Sequence, residues 1–261
     1  MGTVDAKTRR TLIAELLREQ GEVAIADLAV EYGTSEMTIR RDLDQLELDG
    51  LARRSRGGAI SVQSRSFEPP ILQRAAFAAA AKMAIGRAAA AQLRENETVF
   101  LDVGTTTHAM ARAIPDDLAI TAITSSLLIA MELSTKPAVR TIVTGGVIRH
   151  GEMSLIGSRA EQAFGALNCD AVFMGVAGVS ETKGLCEYNL DDAEVKRAAM
   201  KSGQRVIVLA DETKVGRVAL VTFAPITAAD LVITNASASH PGVRAIREQD
   251  VDVQSVVVEK E

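Results

Sequence analysis

Tryptophan is absent from this chain of 261 residues, and aromatic residues make up only 3% of it. Cysteine occurs twice, as Cys169 and Cys186. Neither sits in a C-x-x-C pair, which excludes a disulfide scaffold and a zinc ribbon. Three histidines, His108, His150 and His240, are too few and too scattered for a histidine-rich metal site. No metal and no cofactor are therefore expected. An excess of positive charge is also missing: 29 Lys and Arg face 34 Asp and Glu, a formal net charge of -5. That excludes a protein that coats nucleic acid or anionic membrane by bulk charge, while leaving room for a small local basic surface. No apolar run approaches the roughly 20 residues that span a bilayer. The amino-terminal segment carries Asp5, Lys7, Arg9 and Arg10 and has no apolar signal core. A cytoplasmic chain with no membrane partner is expected. Neither G-x-G-x-x-G after the first strand pattern nor G-x-x-x-x-G-K-[ST] is present, which weakens a nucleotide-binding reading.

Composition shifts near residue 60. The first 60 residues hold 9 basic and 11 acidic side chains and no Pro, Cys or Phe. A polar stretch, Ser61-Val62-Gln63-Ser64-Arg65-Ser66, then leads to Pro69-Pro70. Proline cannot continue a helix and extends the residue before it, so this reads as an exposed connection. The expected organisation is a first domain at 1–60, a linker at 61–72 and a second domain at 73–261.

In the first domain, Leu12, Ile13, Leu16 and Leu17 have the spacing of a helix with one buried face. Gly21 ends it. Ile25, Leu28 and Ala29 mark a short second helix stopped by Gly33, and Thr34-Ser35 supply N-cap chemistry for a third, with Ile39, Leu43 and Leu46 inward. A short helix, a glycine-containing turn and a second helix form the shape that enters the DNA major groove. Ser35, Thr38 and Arg41 then lie three apart on another face, beside Arg40, at an end whose dipole favours phosphate. Arg53, Arg54 and Arg56 before Gly57-Gly58 read as a wing on the DNA backbone. The domain's net charge of about -2 opposes this, but screening makes local clustering count over a distance of about 8 Å. A small helical bundle with solvated charges is the plain alternative.

The second domain alternates. A helical stretch from about Gln73 to Leu93 leads in. Short β-branched runs follow at Val99–Leu101, Ile120–Ile123, Thr141–Val143, Ala171–Met174, Val206–Leu209 and Leu231–Thr234. Helix-compatible segments separate several of them. Fully apolar strands between helices predict an α/β fold with a mostly parallel sheet covered on both faces. Ligands in such folds sit at the carboxyl ends of strands. Four such ends are polar and small: Asp102-Val103-Gly104-Thr105-Thr106-Thr107, Thr124-Ser125-Ser126, Gly145-Gly146, and Ala210 to Gly216 with Lys214 as a point charge for phosphate. Each is also readable as a cap or a turn.

Val23 to Ala29, the run Ser35-Glu36-Met37-Thr38-Ile39-Arg40-Arg41-Asp42-Leu43 and Arg53 to Ala59 together resemble the amino-terminal signature of DeoR-type bacterial transcriptional regulators. The resemblance continues through the D-x-G-T-T turn, Thr-Ser-Ser in place of the commoner Thr-Asn-Ser, Gly145-Gly146, Asp170 to Gly178, Gly184 and Ala-Asp-x-x-Lys-x-Gly. It implies a winged helix-turn-helix followed by a sensor domain similar to ribose-5-phosphate isomerase. It further implies that Asp102, Gly104, Thr105, Thr106, Thr124, Ser125 and Lys214 line an effector pocket for a phosphorylated sugar or related anionic metabolite. Ser125 lacks the amide of the usual Asn. The expected partners are double-stranded operator DNA, that small molecule and further copies of the chain as a homodimer or homotetramer. The alternative is a sugar-phosphate isomerase. The acidic positions of the isomerase motif are apolar here, at Met174 and Ala177, while Glu194 matches its catalytic glutamate and is expected to survive as an effector contact. Binding without turnover is favoured, as a repressor of carbohydrate-metabolism genes.

Overall fold

Ile13 and Leu17 bury completely on α1 (Ala6–Gln20), meeting Ile25 and Leu28 of α2 (Ile25–Glu31) and Ile39, Leu43 and Leu46 of α3 (Glu36–Leu48). A computed structural model supplies this description. It covers residues 5–61, 65 and 68–258; residues 62–64 and 66–67 of the expected linker lie outside the described residues. The chain divides into two compact units, Met1–Phe77 and Ala78–Glu261.

In the first unit a three-stranded antiparallel sheet closes the core. Its strands are β1 (Glu22–Ala24), β2 (Ala52–Ser55) and β3 (Gly58–Ser61), in the order β1-β3-β2. Gly57 and Gly58 serve different needs. Gly57 turns the hairpin at φ +95, whereas a Cβ on Gly58 would lie 2.0 Å from the Val23 carbonyl oxygen of β1. The unit ends with α4 (Ile71–Ala76).

The expected single helix over Gln73–Leu93 is a correction. The chain breaks at Phe77, which is extended, and Ala78, which is left-handed at φ +50, before α5 (Ala79–Ala90). Alanine-rich sequence carries no stop signal, so local propensity gave no warning. Beyond the break, a Cβ on Gly86 would sit 2.6 Å from the backbone of Ala109. The small residues of α5 therefore fit against a neighbouring helix of their own unit.

The second unit is built on seven parallel strands. In chain order its elements are β4 (Thr98–Leu101), α6 (Thr105–Ala113), β5 (Ile120–Thr124), α7 (Leu127–Leu133), β6 (Val139–Val143), β7 (Val147–Arg149), β8 (Ser154–Ile156), α8 (Ser158–Ala163), β9 (Cys169–Gly175), β10 (Gly178–Ser180), β11 (Gly184–Glu187), α9 (Leu190–Ser202), β12 (Gly203–Leu209), β13 (Val221–Ala224), β14 (Leu231–Thr234), α10 (Pro241–Arg247) and β15 (Asp252–Ser255). The sheet order is β15-β14-β12-β9-β4-β5-β6, with every pairing parallel. Alternate residues bury on opposite faces. Val99, Leu101, Ala171, Phe173, Ile207 and Leu209 meet α5, α6 and α7. Phe100, Val172, Met174, Val206 and Val208 meet α8, α9 and α10. This two-sided burial is why the strands read as unbroken apolar runs. β7–β8 forms a hairpin, and β10, β11 and β13 form a small antiparallel sheet.

Candidate DNA-reading surface and ligand site

Ser35 caps α3: its Oγ accepts the Thr38 amide at 3.2 Å and lies 3.0 Å from the Thr38 hydroxyl. Arg40 pairs with Glu36 at 3.2 Å one turn back, and Arg41 is exposed. These four residues share the amino-terminal half of α3. Met37 is also there, 60% exposed, an apolar side chain the charge pattern had hidden. On the opposite face Asp42 is buried and pairs with Arg9 at 2.6 Å and Arg10 at 3.6 Å, tying α3 to α1.

On the wing, Arg53 and Arg56 are exposed. Arg54 is held differently. Its guanidinium reaches Asp44 at 3.2 Å and the Gly58 carbonyl at 3.3 Å, and its backbone amide donates to Glu47 at 2.8 Å. Two acidic residues at the far end of α3 thus anchor the wing to the reading helix, with Arg54 as the bolt.

In the second unit parallel register brings the polar loops to one edge. Leu101 is level with Thr124 and Phe173, and Thr124 with Val143. Gly104 adopts φ +125 immediately before α6 and has no side chain with which to cap the first amides of that helix. Thr105 is half-buried, Thr106 and Thr107 are buried, and the Thr107 hydroxyl donates to the Gly104 carbonyl at 2.9 Å. The Thr124 hydroxyl donates to Leu101 O at 2.7 Å and accepts from Ser126 N at 3.0 Å. Gly145 and Gly146, at φ +75 and +120, turn the chain from β6 into the β7–β8 hairpin. Lys214 lies in a 3-10 turn, with Nζ 3.3 Å from the Tyr188 hydroxyl. Glu194 is not brought to this edge. It is exposed on α9 and pairs with Arg197, because its neighbour Lys196, two residues on, takes the inward face.

Lys196 is the centre of what the sequence left unread. It is 1% exposed. Its ammonium contacts Asp102 Oδ2, the Gly175 carbonyl at 2.9 Å and Glu187 at 3.2 Å. Asp102 Oδ2 also accepts the Gly175 amide at 2.9 Å. Burial pushes the Asp102 carboxyl up to about 6, against the pull of Lys196. Burial works against the Lys196 charge too, but Asp102 and Glu187 outweigh it and hold the ammonium protonated. Beside them Asp192 pairs with Arg149, and burial raises its carboxyl as well. Two atoms here are buried without a hydrogen-bond partner: Asp102 Oδ1 and Ser125 Oγ. Each stands one residue past the level pair Leu101 and Thr124, so both lie at the carboxyl ends of adjacent strands. Ser154 Oγ is a third such atom; it faces Asp192 without closing a hydrogen bond. Orphaned buried polar atoms are uncommon and each costs about 1–3 kcal/mol. Their concentration at one sheet edge marks a place prepared for hydrogen-bonding partners.

Among the described residues no group of three or more His, Cys, Asp or Glu side chains is arranged to hold a metal ion. No described helix is long and apolar enough to cross a membrane.

A winged helix-turn-helix carried on one chain with a parallel α/β unit, polar at its strand ends, defines a DNA-binding transcription regulator with a ligand-sensing part. Residues 9–65 match the DeoR-like helix-turn-helix domain, and residues 78–236 match the DeoR C terminal sensor domain. The chain belongs to the DeoR family. It is similar to the HTH-type transcriptional regulator GlpR of Haloferax volcanii, at 35% identity over 87% of this chain and 89% of the relative. It is likewise similar to the glycerol-3-phosphate regulon repressor of Escherichia coli, at 32% identity over 87% of this chain and 90% of the relative. Among solved structures, ribose 5-phosphate isomerase A from Methanocaldococcus jannaschii shares 16% identity over 51% of this chain and 52% of its own, with a TM-score of 0.39. The family and its relatives are transcription regulators, so the isomerase alternative is set aside.

Proposed function

We propose that this chain is a cytoplasmic repressor of carbohydrate-metabolism genes, released from or recruited to its operator by a phosphorylated polyol. The helix-turn-helix domain, 1–60, reads the operator, residues 61–72 connect, and 73–261 sense the metabolite. Ser35, Thr38, Arg40 and Arg41 enter the major groove, with Arg53 and Arg56 on phosphates; Arg54 acts by fixing the wing. The ligand's phosphate lies against the first amides of α6, at Gly104–Thr106, and takes Lys214 as counter-charge. Its hydroxyls reach Asp102 and Ser125. Thr124, Gly145 and Gly146 shape the floor; the Thr124 hydroxyl gives its one proton to Leu101 O and keeps one acceptor site for a ligand hydroxyl. The chain works as a homodimer or homotetramer, because one recognition helix reads too few bases for genomic specificity.

The observation that carries this reading is the pair of buried, partnerless oxygens on Asp102 and Ser125, close to an uncapped helix start. Similarity to the glycerol-3-phosphate regulon repressor of Escherichia coli supports the ligand class. The test is to select operator DNA from a random duplex pool and titrate sugar phosphates into the complex. The reading expects at least one of them to change operator affinity. Selection of no sequence, or a complex indifferent to all of them, refutes it.

A further inference from the structure

The five ionisable side chains gathered behind the strand ends do not cancel. Asp102, Glu187 and Asp192 bring three carboxylates, while Lys196 and Arg149 bring two cations. The groups come from the β4–α6 loop, β11, α9 and β7, so the cluster is enclosed by four different elements. Asp102 and Lys196 are each 1% exposed. Both cations already have carboxylate partners: Lys196 contacts two carboxylates, and Arg149 contacts Asp192. What the cluster offers an incoming group is acceptor and hydroxyl oxygen, Asp102 Oδ1 and Ser125 Oγ. A hydroxyl donor satisfies such atoms. A second anion entering the same place loses its hydration and meets a surplus of negative charge in a weakly screened interior.

Resting on the ligand site proposed above, we infer that this cluster is a charge filter: the sensor accepts a polyol bearing one phosphate and a neutral, hydroxyl-bearing far end, and rejects bisphosphates and phosphorylated acids. The phosphate is recognised at the α6 start and Lys214, and the far end at Asp102 and Ser125. Glu187 and Asp192 do not touch the ligand. They set the sign of the cluster and are specificity-determining through Lys196 and Arg149.

The test uses the full chain at pH 8, where the Asp102 carboxyl is ionised, and three matched pairs of probes followed by calorimetric titration. The pairs are glycerol 3-phosphate with 3-phosphoglycerate, ribose 5-phosphate with ribose 1,5-bisphosphate, and fructose 6-phosphate with fructose 1,6-bisphosphate. The filter predicts that in any pair that binds, the singly phosphorylated polyol binds at least about tenfold tighter, a difference of about 1.4 kcal/mol. Glu187→Gln, which makes the cluster neutral, should narrow that ratio at least about threefold, a change a merely structural role would not produce. Asp192→Asn serves the same purpose should the first variant fail to fold. A probe with a second anionic group that binds as tightly as its singly phosphorylated partner overturns the filter while leaving the ligand site intact. An unchanged ratio in both variants overturns the assignment to Glu187 and Asp192. Silence from all six probes overturns the ligand site itself, and the filter with it.

Discussion

Replacing Lys196 by methionine removes the cation that contacts both Asp102 and Glu187, and it does so where almost no solvent reaches. Breaking a buried pair from one side costs about 3–5 kcal/mol, because the stranded charge keeps its desolvation penalty. The penalty should depend on pH in a direction that can be worked out. With Lys196 present, burial already holds the Asp102 carboxyl at about 6, well above its ordinary 3.8. A carboxyl raised on folding destabilises the folded state increasingly as pH climbs between those two values, and the loss then levels off. Without Lys196 the carboxyl rises further above 6. The variant therefore goes on losing stability above pH 6, at up to about 1.36 kcal/mol per pH unit. At pH 5 Asp102 is protonated in both proteins and this part of the penalty vanishes. Urea unfolding followed by far-ultraviolet circular dichroism at pH 5 and pH 7.5 measures it. A penalty that is equal at the two pH values, or below about 1 kcal/mol at pH 7.5, refutes the electrostatic account of the cluster.

Three further outcomes follow from the same geometry. Asp42→Ala removes the buried carboxylate that ties Arg9 and Arg10 of α1 to α3 and should lower the stability of the helix-turn-helix unit by about 1–3 kcal/mol, read as an earlier thermal transition. Arg41→Ala should cost about 1–3 kcal/mol in operator binding and relax specificity at one base, whereas Arg54→Ala, which unfastens the wing from Asp44 and Gly58, should destabilise that unit measurably; binding titrations and melts on both variants separate the two roles. Gly104→Ala forces a side chain into φ +125 and should cost more than about 1 kcal/mol of stability, with a weakened response to any polyol phosphate in thermal-shift titrations.

Most of the architecture was legible because its signals are local. Six of the seven parallel strands announce themselves as β-branched apolar runs, and alternate residues in them do bury on opposite faces. β15 (Asp252–Ser255) was missed: an edge strand with three polar residues of four and none buried carries no such signal. β1 was missed because three residues make no pattern; only its pairing with β3 defines it. At the ligand edge, Gly104 and the threonines were readable from turn chemistry. The Asp102–Lys196–Glu187 cluster was not, since its members lie on β4's exit, α9 and β11 and converge only through the tertiary fold. Lys196 lies two residues from Glu194 on the same helix, and helical phase alone does not say which of two charged residues turns inward. Arg54 looked equivalent to Arg53 and Arg56, and only the positions of Asp44 and Glu47 distinguish it.

The central claim is that a metabolite held at the carboxyl edge of the parallel sheet controls how the helix-turn-helix binds DNA. Fluorescence anisotropy of labelled operator, titrated with the polyol phosphate that the wild-type chain answers to, tests it most directly when run beside Lys214→Ala and Asp102→Ala. The coupling between the two sites should be about 1–3 kcal/mol, a change of about 5- to 150-fold in operator affinity. Lys214→Ala should bind operator like the wild type when no metabolite is present, and both variants should need far more metabolite to respond. Half-saturation unchanged in the two variants would contradict the account and place the sensing site elsewhere.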